Sequence, residues 1–357
     1  MLGLSQAPDT PASERMMPYH RSRSERVTLQ DVAQALGISP ITVSRALRQP
    51  DKVSDDLRQR IVAQVEKMGY VPDLAARALA SNHNGVIGVL APALTSHAHL
   101  GVMRGIEERV RTSDLRIQYA TSHYDPAEEC RQIRLFLSQH PAGILLSGLQ
   151  QPEGTLELLK SATCPVVQIV DLHLTPSGLG VGVNHCEAAA AAIRHLVACG
   201  YRRIGLLGGT RDVRSERRLE GYRLAMQEAG LGDPVLIASE DEPTSVQLGC
   251  HLLQRMIRQV PDLDCVFCQN DDLAIGAFFE AQRLGLSVPD FGICGYNDLG
   301  FAAFSQPPLT TVRVPRFEMG YRAIDLLIRV LAGEPAPDAP IDLGFEVVPR
   351  GTTRPPR

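Results

Sequence analysis

From Gly85 onward, short apolar runs alternate with helical patterns of roughly ten to fifteen residues. The apolar runs have the composition of buried strands, and they are Val86–Leu90, Ile117–Ala120, Gly143–Leu146, Val166–Val170, Ile204–Leu207, Cys265–Cys268 and Phe291–Cys294. Strands that alternate with helices predict βαβ units, and therefore mostly parallel sheets with helices on both faces. This alternation restricts residues 85–350 to an α/β fold.

The length of this region predicts two subdomains. About 265 residues are too many for one doubly wound sheet of ordinary size. Ligands of such folds bind beyond the carboxyl ends of the strands. Two subdomains with facing strand ends would therefore form a cleft for a small molecule between them.

The same region lacks the usual catalytic motifs: there is no GxxxxGK[ST], no GxSxG and no HExxH. The run Gly178-x-Gly180-x-Gly182 lies between apparent elements and lacks the spacing of a dinucleotide loop. Cys265-x-x-Cys268 lies within a buried strand without a second pair, which predicts core thiols. His97-x-His99 is placed to line the cleft but has no third metal ligand. We expect no cofactor, no metal and no enzymatic activity.

Composition excludes further classes. No apolar run reaches the roughly 18 residues of a membrane span, and no signal peptide precedes the first pattern. Eight cysteines in 357 residues do not make a disulfide framework, so we expect reduced thiols and a cytoplasmic protein. The net charge is −4, yet residues 20–82 are basic, which indicates a polyanionic partner for this segment alone.

Residues 26–72 have the pattern of three short helices. In the first, apolar residues recur at helical spacing from Leu29, Thr28 is placed as the N-cap, and Gly37 ends the helix. Ser39-Pro40 opens the second helix, and the third follows Ser54. Two helices joined by a tight glycine turn and braced by a third predict a helix-turn-helix, although a plain three-helix bundle has the same core pattern.

The outward face of the second helix favours DNA binding. Ile41 and Arg45 project together, with Pro40 and Ser44 beside them, and such side chains suit a thymine methyl and a guanine edge. Hydroxyl groups at or near helix N-termini suit phosphate oxygens, and here they belong to Thr28, Ser39, Thr42 and Ser54.

This segment resembles the DNA-binding headpiece of the lactose-repressor family. The resemblance lies in TLQDVAQALGISPITVSRAL (residues 28–47), Val53-Ser54 and Gly69-Tyr-Val-Pro72. It implies that Pro40 and Ile41 discriminate between operators and that Arg45 contacts a base. The family usually has Asn after the proline, where this chain has Asp73, a departure that affects one phosphate contact.

Residues 73–84 are predicted to form a hinge helix and linker. A helix of about two turns is marginal by itself because helix nucleation is unfavourable. In the family this helix pairs with its dimer mate in the minor groove, where a leucine wedges between base pairs. The resemblance assigns that role to Leu79 and a DNA contact to Arg77, and the alternative is an alanine-rich linker.

The resemblance extends to about Arg350, through Arg218–Tyr222, Asn270–Ala277, Gly295–Asp298 and Pro308–Val312. It implies a periplasmic-binding-protein-like core of two doubly wound parallel-sheet subdomains, over residues 85–350, with chain crossings near residues 184, 313 and 340. By analogy, the effector contacts are Arg218, Asn270, Asn297 and, as a weaker candidate, Asp171. Asn297 stands where relatives often have aspartate, and a neutral amide eases the approach of an anion.

Within the family, Val266–Pro289 most resembles the gluconate-utilisation repressors, which implies a sugar acid such as gluconate or a ketogluconate. Neutral-sugar relatives also have the arginine, so a neutral sugar is the alternative. The expected protein is a homodimeric repressor that leaves a palindromic double-stranded DNA operator when effector binds, with co-repression as the alternative. A sugar-metabolising enzyme would need a catalytic motif, and a periplasmic binding protein would leave residues 28–80 unexplained.

The chain ends lack periodicity. Residues 1–25 are rich in Pro, Ser and Arg, which predicts a disordered arm and allows translation to start at Met17. Residues 351–357 also have the appearance of a disordered tail.

Overall fold

The structure is a computed structural model that describes residues 27–48, 50–71, 83–94, 96–147, 153–172, 178–209, 212–233 and 236–357. The chain separates into two compact units, residues 1–77 and 78–357. The predicted arm and the predicted hinge helix at 73–80 lie outside the described residues, and so do Arg77 and Leu79.

The smaller unit contains α1 (Leu29–Leu36), α2 (Pro40–Arg48) and α3 (Asp55–Met68), with a 3₁₀ turn at Pro50–Lys52. Side chains from all three helices meet in one apolar core, to which the most buried contributors are Val32, Ala33, Val43, Ala46, Ile61 and Tyr70.

The predicted helix ends are confirmed. The Asp31 amide donates to the Thr28 hydroxyl (3.3 Å), and the Thr28 amide donates to the Asp31 carboxylate (2.8 Å), which completes a capping box. Gly37 has φ +67°, a left-handed conformation that glycine adopts without steric cost. The Thr42 amide donates to the Ser39 hydroxyl (3.2 Å), so Ser39 caps α2.

The larger unit begins with a six-stranded sheet of order β11-β5-β4-β3-β1-β2, in which the paired strands are parallel. Its strands are β1 (Val86–Ala91), β2 (Arg116–Thr121), β3 (Gly143–Ser147), β4 (Val166–Asp171), β5 (Gly180–Val183) and β11 (Ile341–Asp342). The helices of this subdomain are α4 (His97–Val110), α5 (Pro126–Ser138), α6 (Glu153–Lys160) and α11 (Arg316–Leu331).

The second sheet is parallel and has the order β7-β6-β8-β9. Its strands are β6 (Ile204–Gly208), β7 (Ile237–Ser239), β8 (Cys265–Cys268) and β9 (Gly292–Cys294). The helices of this subdomain are α7 (His185–Ala198), α8 (Val213–Glu228), α9 (Val246–Gln259) and α10 (Asp271–Arg283). A separate antiparallel pair joins β10 (Thr311–Arg313) to β12 (Glu346–Val348).

The chain passes between the two subdomains at several points. It leaves the first sheet after Val183, builds the second sheet, and returns through β10 to α11 and β11. Helix α11 packs against α4 at very close range. A Cβ on Gly105 would lie 2.0 Å from the Phe317 carbonyl oxygen, and a Cβ on Gly320 would lie 2.0 Å from that of Val102. These two glycines therefore allow the helix pair to approach.

Two predictions made from the sequence are wrong. Gly180–Val183 does not lie between elements but forms β5, which pairs with β4 and β11. The tail at 351–357 is not disordered, because Thr352 is 1% exposed and its hydroxyl donates to the Ile293 carbonyl (2.7 Å). The Arg354 guanidinium lies 4.8 Å from the centroid of the Tyr201 ring.

All eight cysteines are free thiols. Cys265 and Cys268 are fully buried, and burial raises the pKa of both thiols well above the usual value, as expected of unreactive core residues. Within the described ranges, no helix has the length and apolar character needed to cross a membrane.

Candidate DNA-binding helix and effector cavity

Helix α2 presents an apolar side chain to solvent on its outer face. Ile41 is 69% exposed, and Arg45, one turn further, is exposed as well. The inner face is occupied by Val43 and Ala46, which are at most 4% exposed. Because folding does not require an exposed isoleucine here, this face is suited to contact with another molecule.

The residues predicted to meet phosphates lie at three helix starts. Thr28, Ser39 and Ser54 directly precede α1, α2 and α3, and all three are exposed. Ser39 and Thr42 share a hydrogen bond between their hydroxyls (2.9 Å), and Pro40 and Ser44 lie on the same helix. Helix N-termini carry partial positive charge and unpaired N–H groups, which suit anionic oxygens.

One cavity of the larger unit lies beyond the carboxyl ends of strands from both sheets. Residues from both subdomains line it, and those described are Ser96, Ala98, His99, Val102, Tyr124, His185, Asp212, Arg214, Ser215, Arg218, Pro243, Thr244, Gln269, Asn270, Asn297, Val314, Arg316 and Met319. The cavity occupies the place where the sequence predicted a cleft.

Arg218 enters the cavity from α8. Its guanidinium lies 4.4 Å from the centroid of the Tyr296 ring and donates to the Gln269 carbonyl oxygen. Burial lowers the pKa of Arg218, although arginine stays protonated in proteins. Its Nε has no hydrogen-bond partner within the described ranges.

Arg214 lies one helical turn before Arg218 and is 7% exposed. Burial has the largest single effect on the pKa of Arg214 and lowers it, but Asp212 and Tyr124 together outweigh burial and raise the pKa overall. The same arginine lies 3.4 Å from Nε2 of His99, which also contacts the Ser147 hydroxyl (3.2 Å). Burial, together with the charge of Arg214, lowers the pKa of His99 to about 3, so this imidazole is neutral.

Arg316 reaches the cavity from the start of α11. It donates to two carbonyl oxygens, those of Asp298 (3.3 Å) and His97 (3.5 Å). In the part of the chain that the structure describes, its Nε has no hydrogen-bond partner, and burial lowers the pKa of its guanidinium.

Two asparagines complete the polar lining. Asn270 caps α10: its Oδ1 accepts from the Leu273 amide (3.0 Å), and its Nδ2 donates to the Thr244 hydroxyl (2.5 Å). Asn297 follows β9 with φ +107°, a backbone conformation that costs energy outside glycine. The backbone N–H of Asn297 donates to the Val312 carbonyl (2.8 Å), and this hydrogen bond holds the strained residue in place.

The structure therefore brings together three of the four predicted effector residues. Arg218, Asn270 and Asn297 line one cavity. Asp171 is 1% exposed at the end of β4 and does not line it.

Sequence reasoning did not identify Arg214 and Arg316 as lining residues. Arg214 had a usable signal, since it lies four residues before Arg218 and residues at that spacing share a helix face. No sequence pattern indicated Arg316, because its position in the cavity depends on the return of the chain between the subdomains. In the lining described, three guanidinium groups face one carboxylate, that of Asp212, so the cavity has an excess of positive charge.

Comparisons with known proteins agree with this architecture. Residues 28–73 match the model of the bacterial regulatory proteins of the lacI family, and residues 193–353 match a periplasmic binding protein-like domain. The transcriptional regulator GntR of Pseudomonas aeruginosa is 38% identical over 92% of this chain and 96% of its own length. GntR of Escherichia coli K12 is 36% identical over 92% of this chain and 99% of its own length.

Solved structures give the same result. The transcription regulator GntR from Chromobacterium violaceum has a TM-score of 0.71 and 39% identity, and covers 75% of this chain and 99% of its own. A LacI-family regulator from Silicibacter pomeroyi has a TM-score of 0.82 and 30% identity, and covers 91% of this chain and 99% of its own. These relatives are regulators rather than enzymes, which confirms the prediction that the chain is not an enzyme. The chain therefore belongs to the lacI family of bacterial regulatory proteins and is a DNA-binding transcriptional repressor.

Proposed function

We propose that the protein represses genes of sugar-acid catabolism and leaves a palindromic operator when a gluconate-type acid binds in the cavity. The observation that carries this proposal is the pair Arg218 and Arg316. Both guanidinium groups line the cavity, and neither forms an ion pair with a carboxylate within the part of the chain that the structure describes. Half-buried cations without a carboxylate partner favour an anionic ligand.

The polyhydroxyl part of such a ligand also has partners. Asn270 and Asn297 supply amides that both donate and accept, and Thr244 and Ser96 add hydroxyl groups. A sugar hydroxyl needs the same combination of donor and acceptor. The resemblance of residues 266–289 to the gluconate-utilisation repressors favours an effector of the gluconate class.

The position of the cavity suggests how binding affects DNA. His99 and Arg214 meet across the cavity from α4 and α8, and the His97 imidazole contacts the Asp272 carboxylate (2.9 Å). A ligand that inserts between the subdomains changes these contacts and so shifts the equilibrium between two arrangements of the dimer. The protein works as a homodimer in this proposal, because two headpieces are needed to read a palindrome.

Calorimetry with matched ligands tests the effector assignment. We expect gluconate and 2-ketogluconate to bind at least tenfold more tightly than glucose, a difference of about 1.4 kcal/mol, because only the acids supply a partner for the two guanidinium groups. Equal binding of glucose would favour the neutral-sugar alternative. Operator affinity measured with and without gluconate then separates induction from co-repression, since the two models predict opposite signs.

A further inference from the structure

A second cavity lies in the first subdomain, apart from the effector cavity. It has a volume of about 450 Å³, within the range of roughly 300–1,000 Å³ typical of pockets for small ligands. Its walls come from β3, β4, α6, the segment between α6 and β4, the residue before β5 and the end of α11. The branched aliphatic contributors are Leu146, Leu159, Val166, Leu179 and Val330. None of the residues given for this wall also lines the effector cavity.

Two polar side chains also belong to this wall, those of Gln168 and of Lys160, which pairs with Glu157 (2.9 Å). Gln168 lines the cavity from β4 and is 1% exposed. Among the residues that the structure describes, neither its side-chain nitrogen nor its side-chain oxygen has a hydrogen-bond partner. Buried amides are nearly always paired, because leaving one unpaired forfeits its hydration without replacement.

The sheet explains why the fold cannot satisfy this amide. Gln168 pairs with Leu146 on β3 and with Gly180 on β5. Leucine has no polar side-chain atom and glycine has no side chain at all. The cross-strand neighbours therefore offer no side-chain partner. A hydrogen-bond partner for the Gln168 amide can instead come from a molecule in the cavity.

We propose that this cavity binds a small apolar molecule with an N–H and a C=O side by side, as in a carboxamide or a lactam. Such an edge donates to the Gln168 oxygen and accepts from the Gln168 nitrogen at the same time. The apolar body of the ligand replaces water against the leucine and valine side chains. This site is independent of the effector assignment, because it uses no residue of the effector cavity.

Thermal unfolding of the full-length protein with benzamide tests the proposal. We expect benzamide in excess over its Kd to raise the unfolding temperature by roughly 2–4 °C. Acetophenone has the same shape but a methyl group in place of the NH₂, so we expect less than a quarter of this shift. A shift of equal size with both probes, or no shift with benzamide, overturns the proposal without requiring any variant.

The variant Gln168→Leu supplies the second measurement. Removing an unpaired amide should raise the unfolding temperature of the ligand-free protein while abolishing the response to benzamide. Gluconate binding by the same variant should be unchanged, which separates this site from the effector cavity. A lower unfolding temperature shows that the amide is paired in the folded protein, and a retained benzamide response shows that the probe binds elsewhere. Either result overturns the proposal.

Discussion

The guanidinium of Arg218 lies 4.4 Å from the centroid of the Tyr296 ring, so that a cation from α8 rests on an aromatic ring that follows β9. The Tyr296 hydroxyl forms a hydrogen bond of 2.8 Å with Nδ1 of His185, at the start of α7. This arrangement fixes the plane of the guanidinium, and a fixed plane presents its N–H groups in one direction. Arg218 is thus oriented before any ligand arrives.

Arg218→Lys is expected to weaken gluconate binding about 10- to 100-fold, because lysine keeps the charge but loses the planar fork, and hydrogen bonds to charged groups contribute about 1.5–3 kcal/mol. Operator affinity without effector should stay unchanged. Arg217→Lys is the matched control, since Arg217 pairs with Glu220 (2.9 Å) and does not line the cavity. Equal losses in both variants, measured by calorimetry, would contradict the assignment of Arg218.

Arg45→Ala should cost about 1–3 kcal/mol of operator binding and relax discrimination at one base pair in each half-site. Ile41→Ala should change which operator is preferred while leaving non-specific DNA binding intact. Val62→Ala is the control, because Val62 is a partly exposed apolar residue on α3. Fluorescence anisotropy with a set of single-base operator variants measures all three. Uniform weakening across every sequence would show that α2 does not read bases.

The coupling between effector and operator should be reciprocal. If gluconate lowers operator affinity 5- to 150-fold, about 1–3 kcal/mol, then saturating operator must lower gluconate affinity by the same factor. Leu79→Ala should keep gluconate affinity in the free protein and lose specific operator binding, because the predicted wedge is removed. Calorimetry of gluconate with and without operator measures the factor. Unequal factors would mean that the two ligands do not bias the same equilibrium.

Glu129 is expected to make stability depend on pH. Burial raises the pKa of this carboxyl to about 8 in the folded protein, from 4.5. Because the folded protein holds this proton more tightly than the unfolded chain, protonated Glu129 contributes fully to the free energy of unfolding below pH 4.5. As the pH rises towards 8, the free energy of unfolding falls by up to about 1.4 kcal/mol per pH unit. Glu129→Gln should remove this loss. In urea unfolding, the free energy of unfolding of the variant should therefore rise relative to that of the parent between pH 5 and 8.

The neighbouring residue gives the control for this prediction. Hydrogen bonds from Arg131 and Gln132 lower the pKa of Glu128 to about 2. Its carboxylate is therefore ionised in both the folded and the unfolded state above pH 6, and Glu128→Gln should not change the slope of stability with pH there. A parent protein whose stability is flat from pH 5 to 8 would contradict the raised pKa of Glu129.

Much of the fold could be predicted from interactions between residues that lie close together in the sequence. The ends of α1 could be located because Thr28 and Gly37 act within one turn of the chain, and confirmation required only local hydrogen bonds. Strands β1, β3 and β4 of the first sheet could be identified because they lie inside the sheet and form continuous apolar runs. The family model and the GntR relatives confirm the lacI assignment that rested on residues 28–47.

What the sequence did not reveal depends on distant partners. Strand β5 has the composition of a loop and exists because β4 and β11 pair with it on either side. Thr352 is ordered because Ile293 and Pro308 accept its hydrogen bonds. Arg316 reaches the cavity only because the chain returns between the subdomains. The pattern within a short stretch of sequence does not show interactions between residues so far apart in the chain.

The late return of the chain also orders the assembly of the two subdomains during synthesis. Helix α11 and strand β11 complete the first subdomain, yet they follow the whole second sheet in the chain. A ribosome-bound chain that ends before Arg316 has made all of the second sheet but lacks the helix that packs on α4. The four strands of the second sheet can thus pair before α11 exists, while Thr352 joins this subdomain only at the end of translation. The face of α4 around Gly105 stays uncovered until α11 has been translated.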